Sequence, residues 1–199
     1  MLILASNSPT RKALLDQAGL RFTVQPARID ERALENEAIA LGADGRDVAL
    51  LLAQRKAESV SLAHPGHWVI GADQTLALGA ELLHKPADRD LAAAQLDHLR
   101  GKTHRLHAGV SLARDGVSLW SDVQTAELTM RDFSAEERDA VLEREGDAIL
   151  GSVGSYRLEG PSIRLFETVS GDYFTILGLP LLPLLAALRD LAPDLLERD

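Results

Sequence analysis

Asp73 stands directly after a short apolar run, Trp68 to Ala72, in the context Val-Ile-Gly-Ala-Asp-Gln-Thr. A run of that length reads as a buried strand, and ligands in α/β sheets collect beyond the carboxyl ends of strands. A carboxylate there can hold a divalent metal or orient a water. It can equally cap the following turn through its own side chain. A second chemical grouping opens the chain. Leu2 to Ala5 is strand-like, Ser6, Asn7 and Ser8 are small and polar, and Pro9 suits the first position of a helix that Ser8 would cap. Arg11 and Lys12 then fall in the first helical turn, where each cation opposes the helix dipole at a cost of about 0.3–1 kcal/mol. Free amides, hydroxyls and two cations at one strand-to-helix turn make a phosphate site.

The cations are unevenly chosen. The chain has 17 arginines but only four lysines, Lys12, Lys56, Lys85 and Lys102. A lysine kept against that bias supplies a compact, mobile point charge, although an arginine-rich composition alone gives the same count. Lys56 lies on a helical face near Leu52, where a lysine normally faces solvent. Lys85, in His84-Lys85-Pro86, follows a hairpin at a rigid turn and could project an ammonium into a cleft or into solvent. Glu31, in Ile29-Asp30-Glu31-Arg32, is either a second metal or base carboxylate or a solvated loop charge. His104 and His107 are three apart on a strand and so point to opposite faces, which rules out joint chelation of one metal. The chain lacks His-Glu-x-x-His, Gly-x-x-x-x-Gly-Lys-Ser/Thr and Gly-x-Ser-x-Gly.

Composition narrows the class. The chain has 199 residues, 46% of them hydrophobic, enough for one core or two small lobes sharing a sheet. A net charge of −9 argues against nucleic-acid or anionic-membrane binding, which needs a positive field. Without cysteine there is no disulfide, thiolate metal site or cysteine nucleophile. The start lacks the charged region of a signal peptide, and no apolar run reaches membrane-spanning length, so a soluble cytoplasmic protein is expected.

The elements that must hold these residues follow from periodicity. Helices are expected over residues 9–18, 47–63, 88–99 and 180–191, and after Ser134, where Glu137 completes a capping box. Strands are expected at 2–5, 21–25, 68–72 and 163–169, with a hairpin over 75–83. Two long strands, 104–113 and 117–130, flank the turn Asp115-Gly116. Residues 27–44 read as loop and irregular helix. Alternating strands and helices, interrupted by one long hairpin, predict an α/β fold with a mixed sheet.

Taken together these segments resemble the Maf family of nucleoside triphosphate pyrophosphatases. Leu4-Ala5-Ser6-Asn7-Ser8-Pro9-Thr10-Arg11-Lys12 is similar to that family's Leu-Ala-Ser-x-Ser-Pro-x-Arg-Arg opening. Asp30-Glu31, Ala53-Gln54-Arg55-Lys56-Ala57, Gly71-Ala72-Asp73-Gln74 and Lys85-Pro86 follow in the family's order. Leu99-Arg100-Gly101-Lys102-Thr103-His104 and Gly178-Leu179-Pro180 complete it, so the resemblance spans nearly the whole chain.

The resemblance implies a single Maf-like domain over residues 1–199, a mixed twisted sheet flanked by helices, and two lobes with a substrate cleft between them, as in Maf and ITPase-like folds. It implies hydrolysis of an NTP to NMP and pyrophosphate with Mg2+ or Mn2+, a house-cleaning reaction that keeps modified nucleotides out of nucleic acid. Carried over, Asp73 activates water and shares the metal with Glu31, while Ser6, Arg11, Lys56 and Lys85 grip the triphosphate. Gln74 and Glu159 are similar to the branch acting on 7-methyl-GTP, where the branch acting on dTTP and UTP tends to carry Thr and Gln. A carboxylate at 159 can accept from the guanine N1–H and exocyclic amine and complements an N7-methylated ring. Thr10 departs from both branches, since it cannot stack on a base as Trp would, and leaves the base open. The family also implies a homodimer and, as a different class of role, a nucleotide-binding regulator of septum formation without significant turnover.

Overall fold

The short parallel strand β1 (Leu2–Leu4) lies between β2 (Phe22–Val24) and β3 (Trp68–Leu78), with Leu2, Ile3 and Leu4 opposite Trp68, Val69 and Ile70. This is a computed structural model, and it describes residues 1–196. Among the described residues the sheet has seven strands: β2, β1 and β3 are followed in order by β5 (Thr103–Arg114), β6 (Val117–Met130) and β7 (Phe166–Ser170), with β4 (Glu81–Leu83) antiparallel to the end of β3. β5 and β6 are the two long strands expected around Asp115-Gly116, whose φ angles of +53° and +83° suit a tight hairpin turn. β7 pairs antiparallel with β6. Parallel and antiparallel pairs coexist, as the sequence predicts.

Alternation along β1 and β3 builds two apolar layers. Leu2, Leu4, Ile70 and Ala72 join Val110 and Leu112 on one face. They pack with Leu14 and Leu15 of α1 (Pro9–Gln17) and with Leu184 and Leu188 of α7 (Leu181–Leu191). Ile3, Ala5 and Val69 face the other way and meet Val60 of α3 (Gly45–Ala63). Two further helices, α4 (Arg89–Leu99) and α5 (Ala135–Glu145), fall where they were expected, and Ser134 and Glu137 do form a capping box.

Four segments differ from their sequence reading. Residues 31–40 form a regular helix, α2 (Glu31–Ala40), because Asp30 caps it by accepting from the Ala33 amide at 3.0 Å. β3 does not end at Ala72 but continues through Asp73 to Leu78, so Asp73 lies inside a strand instead of beyond one. Residues 161–165 are a 3-10 turn started by Pro161, which delays β7 to Phe166. A short helix, α6 (Tyr173–Ile176), capped by Asp172, precedes α7.

The chain forms two compact units, one of residues 1–74, 107–124 and 172–199 and the other of residues 75–106 and 125–171. Each is discontinuous, and the chain passes between them four times. Among the described residues no helix is long and apolar enough to cross a membrane.

Candidate active site

Glycine sets how closely α3 approaches the sheet. A β-carbon at Gly71 would lie 2.1 Å from the Ala53 carbonyl oxygen and 2.6 Å from the Ala57 nitrogen. One at Gly109, in β5, would lie 2.3 Å from the Ala49 carbonyl oxygen. The glycines and the small residues Ala49, Ala53 and Ala57 therefore let helix backbone rest on strand backbone. Gly71 and Asp73 are two apart and share a face of β3. The face that admits α3 is thus the one that carries Asp73.

Lys56 meets it there. It belongs to the buried stripe of α3 with Leu52, Ala53 and Val60, not to the solvent side. Its Nζ donates to Asp73 Oδ1 at 2.6 Å and to Glu31 Oε2 at 2.8 Å. Lys56 and Asp73 are both 8% exposed, whereas Glu31, on the first turn of α2, opens to solvent. One ammonium therefore joins a buried and an exposed carboxylate from two elements.

Arg11 adds a second cation. Its Nε donates to the Gly178 carbonyl at 2.8 Å, and its Nη1 donates to the Ala72 carbonyl at 2.8 Å and to Ser6 Oγ at 3.2 Å. Ser6 Oγ also accepts from the Ser8 amide, and Ser8 Oγ from the Arg11 amide, which confirms Ser8 as the helix cap. The dipole cost of a cation in this first turn is offset within the chain by carbonyls and by the attraction of Asp73 and Glu31.

The charges act on one another. Burial pushes the Asp73 carboxyl above its ordinary pKa, Lys56 and Arg11 pull it back, and Glu31 adds to the rise. Burial lowers the pKa of Arg11, and the two carboxylates oppose that shift. A carboxylate with a raised pKa beside two cations is the electrostatic pattern of a reactive site.

Ser6, Arg11, Glu31, Lys56 and Asp73 are thus brought together in the first unit. Gln74 belongs to the same unit, but its amide nitrogen donates to the Thr175 and Ile176 carbonyls, tying β3 to the end of α6. Thr10 is half-buried in the first turn of α1. Lys85 and Glu159 belong to the second unit: Lys85 is exposed between β4 and α4, and Glu159 is exposed in the turn before Pro161.

Two buried polar groups of the second unit have no role in the sequence reading. His104 Nε2 and Tyr156 Oη are 2.7 Å apart. Glu145, at the end of α5, accepts from the Ser162 amide at 3.0 Å and the Ser162 hydroxyl at 2.7 Å. No local signal marks Glu145, since it ends a helix rich in surface charge. His104 stood within a recognised motif, and its burial only emerges from the strand's inward register.

The chain is similar to known proteins along most of its length. The family described as Maf-like protein matches residues 1–191. A 7-methyl-GTP pyrophosphatase of Brucella suis biovar 1 (strain 1330) is 55% identical over 188 residues, 94% of this chain and 94% of its own. A nucleoside triphosphate pyrophosphatase of Rhodopseudomonas palustris (strain HaA2) is 54% identical over 188 residues, 94% of this chain and 92% of its own. Among solved structures, a HAM1 protein from Coxiella burnetii aligns with 66% of this chain and 73% of that chain, at 14% identity and a TM-score of 0.41. A family match along almost the entire chain, with relatives that share more than half of their aligned residues, means that this chain belongs to the Maf-like protein family.

Proposed function

We propose that the protein is a nucleoside triphosphate pyrophosphatase that cleaves the anhydride between the α and β phosphates, yielding NMP and pyrophosphate. The observation that carries this reading is the buried Lys56–Asp73 pair joined to Glu31, with Arg11 close by. The names of the relatives in Brucella and Rhodopseudomonas support it.

Phosphoryl transfer asks a protein chiefly for positioning and charge neutralisation. Asp73, with its raised pKa, is suited to accept the proton of an attacking water. Lys56 holds that carboxylate in place and offers a mobile cation to phosphate oxygens. Arg11 fixes the Ala72 and Gly178 backbone on either side and adds positive charge. The water oxygen bonds to phosphorus, the anhydride P–O bond breaks, and its electron pair leaves with pyrophosphate.

The donor set fits a hard divalent cation. Glu31 and Asp73 offer only oxygen, and Mg2+ characteristically takes one or two carboxylates and completes its shell with water and substrate phosphates. Among the described residues no group of three or more His, Cys, Asp or Glu side chains forms a cation site. When bound, such an ion would neutralise charge on the phosphates.

For the base, Glu159 favours guanine and its N7-methylated form, as a carboxylate can accept from N1–H and the exocyclic amine. The relatives carry both the 7-methyl-GTP name and the broader one. The purified full chain, given Mg2+ or Mn2+ and a panel of 7-methyl-GTP, GTP, UTP and dTTP, should release pyrophosphate and NMP in equal amounts. Orthophosphate as the sole product would overturn the proposal. Tight nucleotide binding without any turnover would favour a regulatory role instead.

A further inference from the structure

We propose that Arg157, anchored on the buried carboxylate of Glu145, is the positioning residue that sets Glu159 for base selection. The inference rests on the reading of Glu159 given above. Every contact involved belongs to the second unit.

Glu145 has a fully buried side chain. Its Oε1 accepts both Ser162 bonds, and its Oε2 lies 3.5 Å from Arg157 Nη1. A buried carboxylate is costly unless it is paired, so Arg157 has a reason to stay on it. The same guanidinium reaches outward, with its Nε 3.4 Å from Glu159 Oε1. One planar cation therefore links a fully buried carboxylate to a partly exposed one, a geometry that lysine cannot copy.

The chain around this link is held on both sides. On one, Tyr156 is buried against His104, 2.7 Å from Oη to Nε2, and its ring packs edge-on to Phe166 at 4.8 Å between centroids. On the other, Ser162 is fastened to Glu145. Between them, a β-carbon at Gly160 would lie 2.5 Å from Glu145 Oε1, so the chain passes directly over that carboxylate. Residues 157–161 are thus a short span between two fixed points. A recognition group whose rotamer is locked by supporting contacts spends less binding energy on ordering. A surface ion pair alone is worth little, and here the buried partner is what gives the pair a defined geometry.

The test compares kcat/KM for 7-methyl-GTP and for UTP in the wild type, Arg157→Ala, Arg157→Lys, Glu159→Gln and the double variant Arg157→Ala/Glu159→Gln. Arg157→Ala should lower the 7-methyl-GTP to UTP ratio by about tenfold, the equivalent of one charge-assisted hydrogen bond, mainly through KM. Arg157→Lys should recover only part of it. The double variant should show no lower ratio than Glu159→Gln alone, because the two residues act in series. An unchanged ratio in Arg157→Ala, or effects that multiply in the double variant, would overturn the inference. A purely structural Arg157 would shift the melting temperature and leave the ratio alone. Should Glu159→Gln leave the ratio unchanged while pyrophosphate is still released, the inference and the base assignment both fall and the pyrophosphatase reading stands. Absence of pyrophosphate from every nucleotide in the wild type would instead overturn that reading itself.

Discussion

Replacing Gly71 by alanine tests whether the seat of α3 on β3 determines both stability and activity. The added methyl would lie 2.1 Å from the Ala53 carbonyl oxygen and 2.8 Å from the Ala57 β-carbon. Ordinary contact begins near 3.4 Å, so the helix backbone must recede by about 1.3 Å. The obstacle is backbone on both sides, which cannot rotate away as a side chain would. Overpacking of this kind costs about 1–3 kcal/mol, and a clash with main chain belongs at the upper end. For a chain of this size about 3 kcal/mol lowers the melting temperature by roughly 6–12 °C. The same recession moves Lys56 on α3 away from Asp73, two residues beyond Gly71, where their contact is now 2.6 Å. A misplacement of about 1 Å in such a site can cost about a hundredfold in rate. Thermal melting followed by circular dichroism, together with pyrophosphate release from the best substrate, reads both effects. A melting temperature within a degree of the wild type, with full activity, would refute the close seating of α3 and its role in the site.

Three further outcomes are expected. Arg11→Ala removes the donor to the Gly178 and Ala72 carbonyls and should destabilise the protein by about 2–3 kcal/mol in urea denaturation, with no loss counting against its bridging role. Lys56→Met leaves the buried Asp73 without its nearest cation, so turnover should collapse and stability at neutral pH should fall by up to about 3–5 kcal/mol; a stable, active variant would remove Lys56 from the site. Burial holds His104 at a pKa of about 4, below its ordinary 6.5, so the unfolded chain binds that proton first as the pH drops. The stability that neutral His104 confers is complete above about pH 6.5 and is lost as the pH falls toward 4, in total about 3 kcal/mol. The stability difference between the wild type and His104→Gln should change by that amount across this window, and a flat difference would contradict it.

Features written in local chemistry were legible in the sequence. Ser8 and Pro9 mark the start of α1, Asp115-Gly116 the long hairpin, and Ser134 with Glu137 the start of α5. Asp73 and the basic turn were visible as candidates by type and position. The burial of Lys56 was not, because a lysine among leucines and alanines normally points to water. Only the meeting of Gly71 and Gly109 with the alanines of α3 brings that helix close enough for Lys56 to turn inward. The length of β3 was hidden for a related reason. Asp73-Gln74-Thr75 looks like the polar end of a strand, yet Asp73 is compensated by Lys56 and Gln74 by the α6 carbonyls, so the strand continues. The cap at Asp30 was masked by an acidic, alanine-rich stretch with few large apolar residues.

In the proposed reaction the buried carboxylate of Asp73, held by Lys56, drives cleavage of a nucleoside triphosphate. The most direct test is pyrophosphate release by Asp73→Asn beside the wild type under identical metal and nucleotide conditions, with both proteins shown to be folded. Burial already disfavours the charge on Asp73, so the neutral isostere should fold. The wild type should release pyrophosphate and NMP, and the variant should lose at least about a hundredfold in rate, the scale of a lost general base. Wild-type rates from folded Asp73→Asn would contradict it.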